Sequence, residues 1–386
     1  MFQLVPHGFY YDFLKRRHLW ANVSWAAAAI SILLFVVKGP NYSIDFTGGT
    51  EVEVTFDQPT NVEDVRRALK PAGVGDDAIQ EIGDGKSSRF LFRMQGQSSA
   101  KAEDVKAAEE VLKQAFPDVS IKPDEQVGTR LLVTWPAPTD GTVSNRTADD
   151  FTRVTAGLPG VSVQPSPEDN TVYVRLPGLA EQIRGALETS LKDHGLHIER
   201  TDSVGPKVGG SLRSAALISL GVTMLLLLIL VSLRFDFTFA PGAILCLFHD
   251  SAILVGIWVL TQQEFGLSMI SALLTLLGYS INDTIIVYDR IRENMGKYRS
   301  TDFEKLINDS INQTLSRTII TSGATMLSMV PFLFYGGPVL KQFAIAMICG
   351  IVVGTYSSIY VAAPLTIILR ENREYLAKLF GLKAPA

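Results

Sequence analysis

The sequence predicts an α-helical polytopic membrane protein with six transmembrane helices. Between the first helix and the second it predicts an α+β ferredoxin-like external domain, duplicated. Three observations lead there. Of the 386 residues, 47% are hydrophobic, and the mean hydropathy is above zero. Charge is unevenly spread: residues 38–212 are rich in Asp, Glu, Lys and Arg, while 213–370 are largely apolar. Six apolar runs reach the roughly 20 residues that a helix needs to cross about 30 Å of hydrocarbon.

The runs are 19–37, 213–233, 239–260, 266–289, 317–335 and 343–369. The first is too long for a signal-peptide core, and VVKGPNYS after it offers no small-x-small cleavage site, so it reads as an uncleaved anchor. Basic residues set the orientation. Lys15, Arg16 and Arg17 precede span one, and Arg234 follows span two. Arg290, Arg292, Lys297, Arg299 and Lys305 follow span four; Arg370, Arg373 and Lys378 follow span six. The opposite short loops carry one basic residue, Lys341. Both termini (1–18 and 370–386) are therefore expected in the cytoplasm, and 38–212 in the periplasm of a bacterial inner membrane. The net charge of −4 and pI near 5.8 argue against nucleic-acid binding. Both cysteines, Cys246 and Cys349, fall in apolar spans, so they read as small buried hydrophobes and no disulfide framework exists.

In the external segment, 42–126 reads as strand, helix, strand, strand, helix, strand, with EVEVTF alternating and Asn61 capping VEDVRRALKPAG. Residues 129–205 repeat that order in pattern rather than in letters, and 136–141 (PAPTDG) reads as the linker. No catalytic constellation is evident. His194 and His197 lack companions for a metal site, and GDGKSS at 83–88 lacks the upstream glycine of a phosphate-binding loop, so it reads as a turn between strands. Without a nucleotide motif, no ATP-driven step is expected.

The chemistry points to the spans. Asp283 lies well inside span four, where an unpaired carboxylate is costly and the usual tasks are proton relay, ion binding or a buried ion pair. Arg317 opens the next span and can face it across neighbouring antiparallel helices; the alternative is an arginine snorkelling to the interface. Thr318, Thr321, Ser322, Thr325 and Ser328 continue a polar stripe up span five, and Tyr279, Ser280 and Asn282 give span four a polar end. His249 and Asp250 lie mid-span in span three, with Asp250 a candidate for a relay or for a structural hydrogen-bonded group. Residues 301–316 place Phe303, Leu306, Ile307, Ile311 and Leu315 on one face, the pattern of an interfacial helix. Asp45, Gly48, Gly49, Gly205 and Pro206 mark the entry to and exit from the external domain, where hinges at 38–49 and 204–211 would couple it to the spans.

Five segments in order carry a family resemblance: YSIDFTGGTEVEV (42–54), VGPKVGGSLRSAAL (204–217), LFHDSAIL (247–254), GYSINDTIIVYDRIREN (278–294) and LSRTIITSGATM (315–326). Together they resemble the SecF family of protein-export membrane subunits. The resemblance implies a six-span half of an RND-type unit that pairs with SecD and assists the SecYEG channel, with YajC as a further partner. The pair would pull unfolded preprotein outward at the expense of the proton gradient, with no other cofactor. It also implies that a separate SecD is needed. The apparent second external unit departs from the single compact one usual in the family. Rival readings are an RND-type exporter of lipid or small molecules and a non-conducting translocon scaffold. An intramembrane hydrolase is weaker, because neither a GxGD-type nor an HExxH motif is present.

Overall fold

The computed structural model describes residues 10–70, 74–75, 78–82, 88–95, 100, 102–124, 129–136, 146–235, 239–298 and 302–372. In chain order, α1 (Arg17–Val37) follows a single 3₁₀ turn and leads to β1 (Asn41–Tyr42), α2 (Ile44–Thr47), β2 (Gly49–Phe56), α3 (Val62–Leu69), β3 (Ile79–Glu81) and β4 (Arg89–Gln95). Then come α4 (Ala102–Ala115), β5 (Ser120–Pro123), β6 (Arg130–Thr134), α5 (Ala148–Thr155), β7 (Ser162–Pro165), β8 (Thr171–Arg175), α6 (Leu179–Ser190) and β9 (Leu196–Val204). The remaining helices are α7 (Pro206–Arg234), α8 (Ala240–Thr261), α9 (Leu267–Lys297), α10 (Phe303–Tyr335), α11 (Gly337–Ser357) and α12 (Ala363–Glu371). Two compact units result, 1–41 with 216–386, and 42–215.

The α+β unit holds two four-stranded antiparallel sheets, ordered β3-β4-β2-β9 and β5-β6-β8-β7. In the first, Val52, Val54 and Phe56 point to one face of β2 and pack with Phe90, Phe92, Val65 and Ile183 in a core. On the other face Glu51 and Glu53 pair with Arg93 and Arg89 of the neighbouring strand, at 3.1 and 2.7 Å. The alternation that marks β2 in the sequence therefore separates a core face from a charged face. Asn61 caps α3 by accepting the Glu63 N–H at 3.1 Å, and Thr147 and Asp150 form a capping box at the start of α5. The second core stacks Trp135 on Phe151, ring centroids 5.2 Å apart, with Leu112, Val133 and Val174 around them.

Strand pairing runs across the expected boundary at 126/129. β9 joins the sheet of β2, and β5 joins that of β6, so the second layer is inserted within the first rather than following it. The first layer keeps the β-α-β-β-α-β order; the second is α-β-β taken twice. Pairing length favours this exchange: β9 matches β2 over eight positions, from Gly49↔Val204 to Phe56↔Leu196, while β5 forms a four-residue hairpin with β6. The linker at 136–141 and the turn at 83–88 lie, apart from Pro136 and Ser88, outside the described residues. His194 meets the Thr60 hydroxyl at 3.0 Å and His197 meets Asp57 at 3.2 Å.

Among the described residues six helical segments are long and apolar enough to cross a membrane. α1 packs on α8, α9 on both α8 and α11, and α10 on α9 and α11. α7 leaves Leu217, Leu225, Leu226 and Leu233 uncovered. At one end of the bundle Phe235, Phe239 and Tyr288 meet over Ile307, Ile311 and Val361. The Tyr288 hydroxyl donates to the Ala362 carbonyl at 3.0 Å.

Two elements differ from the sequence reading. The interfacial helix expected at 301–316 and the span at 317–335 are one helix, α10, of 33 residues. No proline or glycine separates them, so nothing interrupts the hydrogen-bond ladder at Ser316–Arg317. Its first part packs Leu306, Ile307 and Ile311 into the protein core. The last span, expected at 343–369, begins at Gly337 and widens into a π turn at Ser358–Ala362 before α12. Pro364 lacks an N–H and its ring clashes with the carbonyl four residues back, so the helix takes up one extra residue just before it. The Ala363 N–H bonds to Ser358 O across that turn.

Candidate functional site

α9 crosses α11 closely in the spans, and small residues make the crossing. A methyl group at Gly350 would stand 2.8 Å from the Leu276 side chain, and one at Gly354 would stand 3.2 Å from Ser280 Cβ. Glycines four apart on one helix let the backbones approach, and short polar side chains then reach across. Asp250 of α8 and Asp283 of α9 both lie against this seam.

Asp250 is fully enclosed, 1% exposed. It accepts from Ser280 Oγ of α9 at 2.5 Å, from Ser357 Oγ of α11 at 2.8 Å and from His249 Nδ1 at 2.8 Å. The Cys246 thiol lies 4.0 Å away. His249, also buried, meets Ser24 Oγ of α1 through Nε2 at 2.6 Å, and Trp25 stands edge-on to its ring at 5.5 Å. One carboxylate thus collects donors from α8, α9 and α11, and through the imidazole from α1.

Asp283 is equally buried, at 0% exposure, but loosely held. Ser322 Oγ of α10 donates to Oδ2 at 3.5 Å, while Oδ1 has no partner. Ser322 also meets Thr355 of α11 at 2.8 Å, and the Tyr279 hydroxyl donates to Ser322 at 3.4 Å. Thr284 and Thr318 carry buried hydroxyl oxygens that likewise have no partner. A carboxylate in a polar seam with one free oxygen can accept or release a proton without breaking a tight network.

The remaining expected residues divide by their place on the helices. Thr318 and Ser322, one turn apart, lie buried, Ser322 against Asp283. Thr321 donates to the Arg317 carbonyl of its own helix at 3.0 Å. Arg317 is exposed, and no ion pair joins it to Asp283 among the described residues. It precedes Thr318 by one residue, about 100° around the helix. Asn282 is exposed beside the buried Asp283. The glycines and the proline at the ends of the α+β unit come together. Gly48, at φ +69°, sits so close to Pro206 that a Cβ there would be 2.7 Å from Pro206 Cα, and one at Gly209 would be 2.8 Å from Gly48 N. Asp45 lies in α2, with its N–H bonded to Ser43 Oγ at 3.2 Å.

Sequence reasoning missed Ser24 and Ser357, because one serine in an apolar helix carries no signal until its partner is known. It also missed a clamp on the segment before α1. Asn308 accepts the Phe13 N–H at 2.8 Å and donates to Tyr11 O at 3.0 Å. Asn312 accepts the Tyr11 N–H at 2.9 Å and donates to Tyr11 O at 2.8 Å. Arg17 pairs with Glu304 alongside. Asn308 and Asn312 are i, i+4 on one face, a spacing that could have marked them.

These features define a six-span membrane protein with two buried carboxylates on one helix seam and an α+β unit between its first two spans. Residues 186–372 match the family described as protein export membrane protein SecD/SecF, C-terminal, and residues 33–60 match the SecD/SecF GG motif. Protein translocase subunit SecF of Vibrio alginolyticus is 32% identical over 380 residues, 97% of this chain and 95% of the relative. The Thermodesulfovibrio yellowstonii subunit is 41% identical over 223 residues, 56% of this chain and 74% of that one. The crystal structure of SecDF from Thermus thermophilus, described as a translocon-associated membrane protein, matches with a TM-score of 0.63 at 31% identity. That match covers 96% of this chain but 40% of the SecDF chain, so the present chain spans two fifths of the longer protein. The chain belongs to the SecF family of protein translocase subunits.

Proposed function

We propose that this chain is the SecF half of a SecDF accessory translocase. It would use the proton motive force to promote export of unfolded preprotein across the bacterial inner membrane, together with SecD, the SecYEG channel and YajC. The observation that carries the proton reading is Asp283, fully buried between α9 and α10 with one carboxylate oxygen unpartnered. One charge moving through 100 mV is worth about 2.3 kcal/mol, enough to bias a conformational step and too little for a large unfolding. Thr318, Ser322 and Thr355 supply the polar path, and Arg317 is the cation that a rotation of α10 would bring toward Asp283. The basic loops support a topology with both termini in the cytoplasm and 38–212 in the periplasm. There the first sheet, with its β-α-β-β-α-β order, reads as ferredoxin-like. The close crossing of Gly48 with Pro206 and Gly209 suits coupling better than two independent hinges.

The test is secretion of a reporter precursor from cells whose only copy carries Asp283→Asn, with membrane levels of the variant and of SecD checked. Export at the level of a deletion strain with normal accumulation supports titration at Asp283. Unchanged export overturns it and favours the scaffold reading.

A further inference from the structure

The seam holds a second titratable group that the Asp283 reading leaves unused. His249 is 1% exposed and is tied at both ring nitrogens, Nδ1 to Asp250 and Nε2 to Ser24. A buried imidazole against a carboxylate normally keeps its proton on the nitrogen that faces the carboxylate, and the other nitrogen stays free to accept. With Nδ1–H donated to Asp250, Nε2 accepts from the Ser24 hydroxyl. When a proton arrives, Nε2–H donates to Ser24 Oγ, and the Ser24 hydroxyl must turn to another acceptor.

A serine hydroxyl in a helix can turn to the carbonyl four residues back, here that of Trp20 on α1, and that carbonyl accepts from the Tyr356 hydroxyl of α11 at 3.2 Å. Tyr356 and Trp20 lie toward the outside of the bundle, whereas Ser24, His249 and Asp250 are buried. Short oxygens and nitrogens therefore lead inward from Tyr356 and Trp20 through Ser24 to His249 and Asp250. The route ends on the Ser280 and Ser357 hydroxyls.

We propose that His249 and Asp250 form a second proton-holding site, separate from Asp283 and entered from the α1 side through Ser24. The step is a proton transfer alone: a hydronium ion at the Tyr356–Trp20 end loses one O–H proton and becomes water, the Ser24 hydroxyl takes that proton as it hands its own to Nε2, and the neutral imidazole becomes an imidazolium beside the Asp250 carboxylate. The groups facing the site are Ser24 and Trp25 of α1, Cys246 of α8, Ser280 of α9, and Tyr356 and Ser357 of α11. The other ionisable groups nearby are Asp283, one turn beyond Ser280 on α9, and Tyr360 in the π turn, its ring 5.0 Å from that of Tyr356. None of these is a cation, so among the described residues these neighbours set no positive charge against one on His249. The proposal rests on the proton-driven reading and adds a site to it.

The full chain, labelled with ¹⁵N in the histidine rings and held in lipid nanodiscs, would be followed by NMR from about pH 9 to pH 5, the range in which histidine charge can switch. The His249 signals are identified by their loss in His249→Gln. The expected result is a ring protonated at Nδ1 alone at high pH that becomes doubly protonated as pH falls. In Ser24→Ala, exchange of the Nε2 proton with water should slow about tenfold, the rate equivalent of one hydrogen bond lost from the path. A ring that stays neutral over the whole range overturns the proposal, and so does exchange unaffected by Ser24→Ala in a folded chain. Asp283→Asn separates the two readings. If His249 fails to titrate while Asp283→Asn blocks export, only this proposal falls; if His249 titrates and Asp283→Asn exports normally, only the Asp283 reading falls.

Discussion

Gly48→Ala should loosen the α+β unit where it begins, and the structure allows the effect to be split into two causes. Gly48 has φ +69° and ψ 159°, a region almost restricted to glycine, where a side chain costs about 1–3 kcal/mol. The added Cβ would also stand 2.7 Å from Pro206 Cα and 3.0 Å from Pro206 N, both backbone atoms that cannot swing aside. Overpacking of that kind costs about 1–3 kcal/mol more. The sum, roughly 2–6 kcal/mol, corresponds to about 30- to 20,000-fold faster exchange of amides that open with the β2–β9 ladder. One variant isolates the contact. Gly209→Ala has no positive φ, but its Cβ would meet Gly48 N at 2.8 Å, so it carries only the contact. The double variant Gly48→Ala/Gly209→Ala should cost less than the sum, since both push the same two segments apart. Hydrogen exchange of β2 and β9 amides in the full chain reads all three. Gly209→Ala at parent protection would refute the close crossing.

Three further outcomes are expected. Gly256→Ala should lift α1 off α8, because its Cβ would stand 2.1 Å from Ser31 Oγ; thermal unfolding should show a loss of about 1–3 kcal/mol, and Ser31→Gly should restore much of it. Asn308→Ala and Asn312→Ala each remove two bonds to the Tyr11–Phe13 backbone. Each should cost about 1–2 kcal/mol and speed protease cleavage near residue 11, with unchanged cleavage counting against the clamp. In the α+β unit, the Arg146 guanidinium beside Asp118, and the Thr147 backbone N–H and hydroxyl on Asp150, hold both carboxyls below the usual carboxylate range. A depressed folded value adds stability above the unfolded value of about 3.9, and that stability is lost as pH falls through the lower folded value. Unfolding temperature should therefore be level near neutral pH and drop below about pH 4, less steeply in an Asp118→Asn/Asp150→Asn chain.

The spans were legible because hydrocarbon thickness leaves a plain signature: six apolar runs, each matched by a long apolar helical segment. Asp283 stood out for the same reason, as a carboxylate where water is absent. What could not be read were relations between distant residues. The patterns around 120–123 and 196–204 are equally strand-like, and only pairing over eight positions with β2 assigns the second to the first sheet. Nothing local shows that Ser316 and Arg317 sit inside one helix rather than at a junction, because helix propensity there is unexceptional. The Asp250 network needed Ser280 and Ser357, from helices 30 and 107 positions away, to be placed against one carboxylate. Arg317 was read by its nearness in topology to Asp283, and a rotation of about 100° per residue is enough to turn it away.

The position of His249 beside Asp250 bears on how the chain is made. Ribosomal synthesis delivers α1 and α8 to the membrane before residues 280 and 357 have emerged. During that interval the Asp250 carboxylate has neither of its two serine donors. His249, on the same helix and 2.8 Å away, is already present, with Ser24 of the earlier helix at its far nitrogen. The span therefore carries a hydrogen-bonding partner for its acidic group on its own helix, and the later helices add the two serine donors.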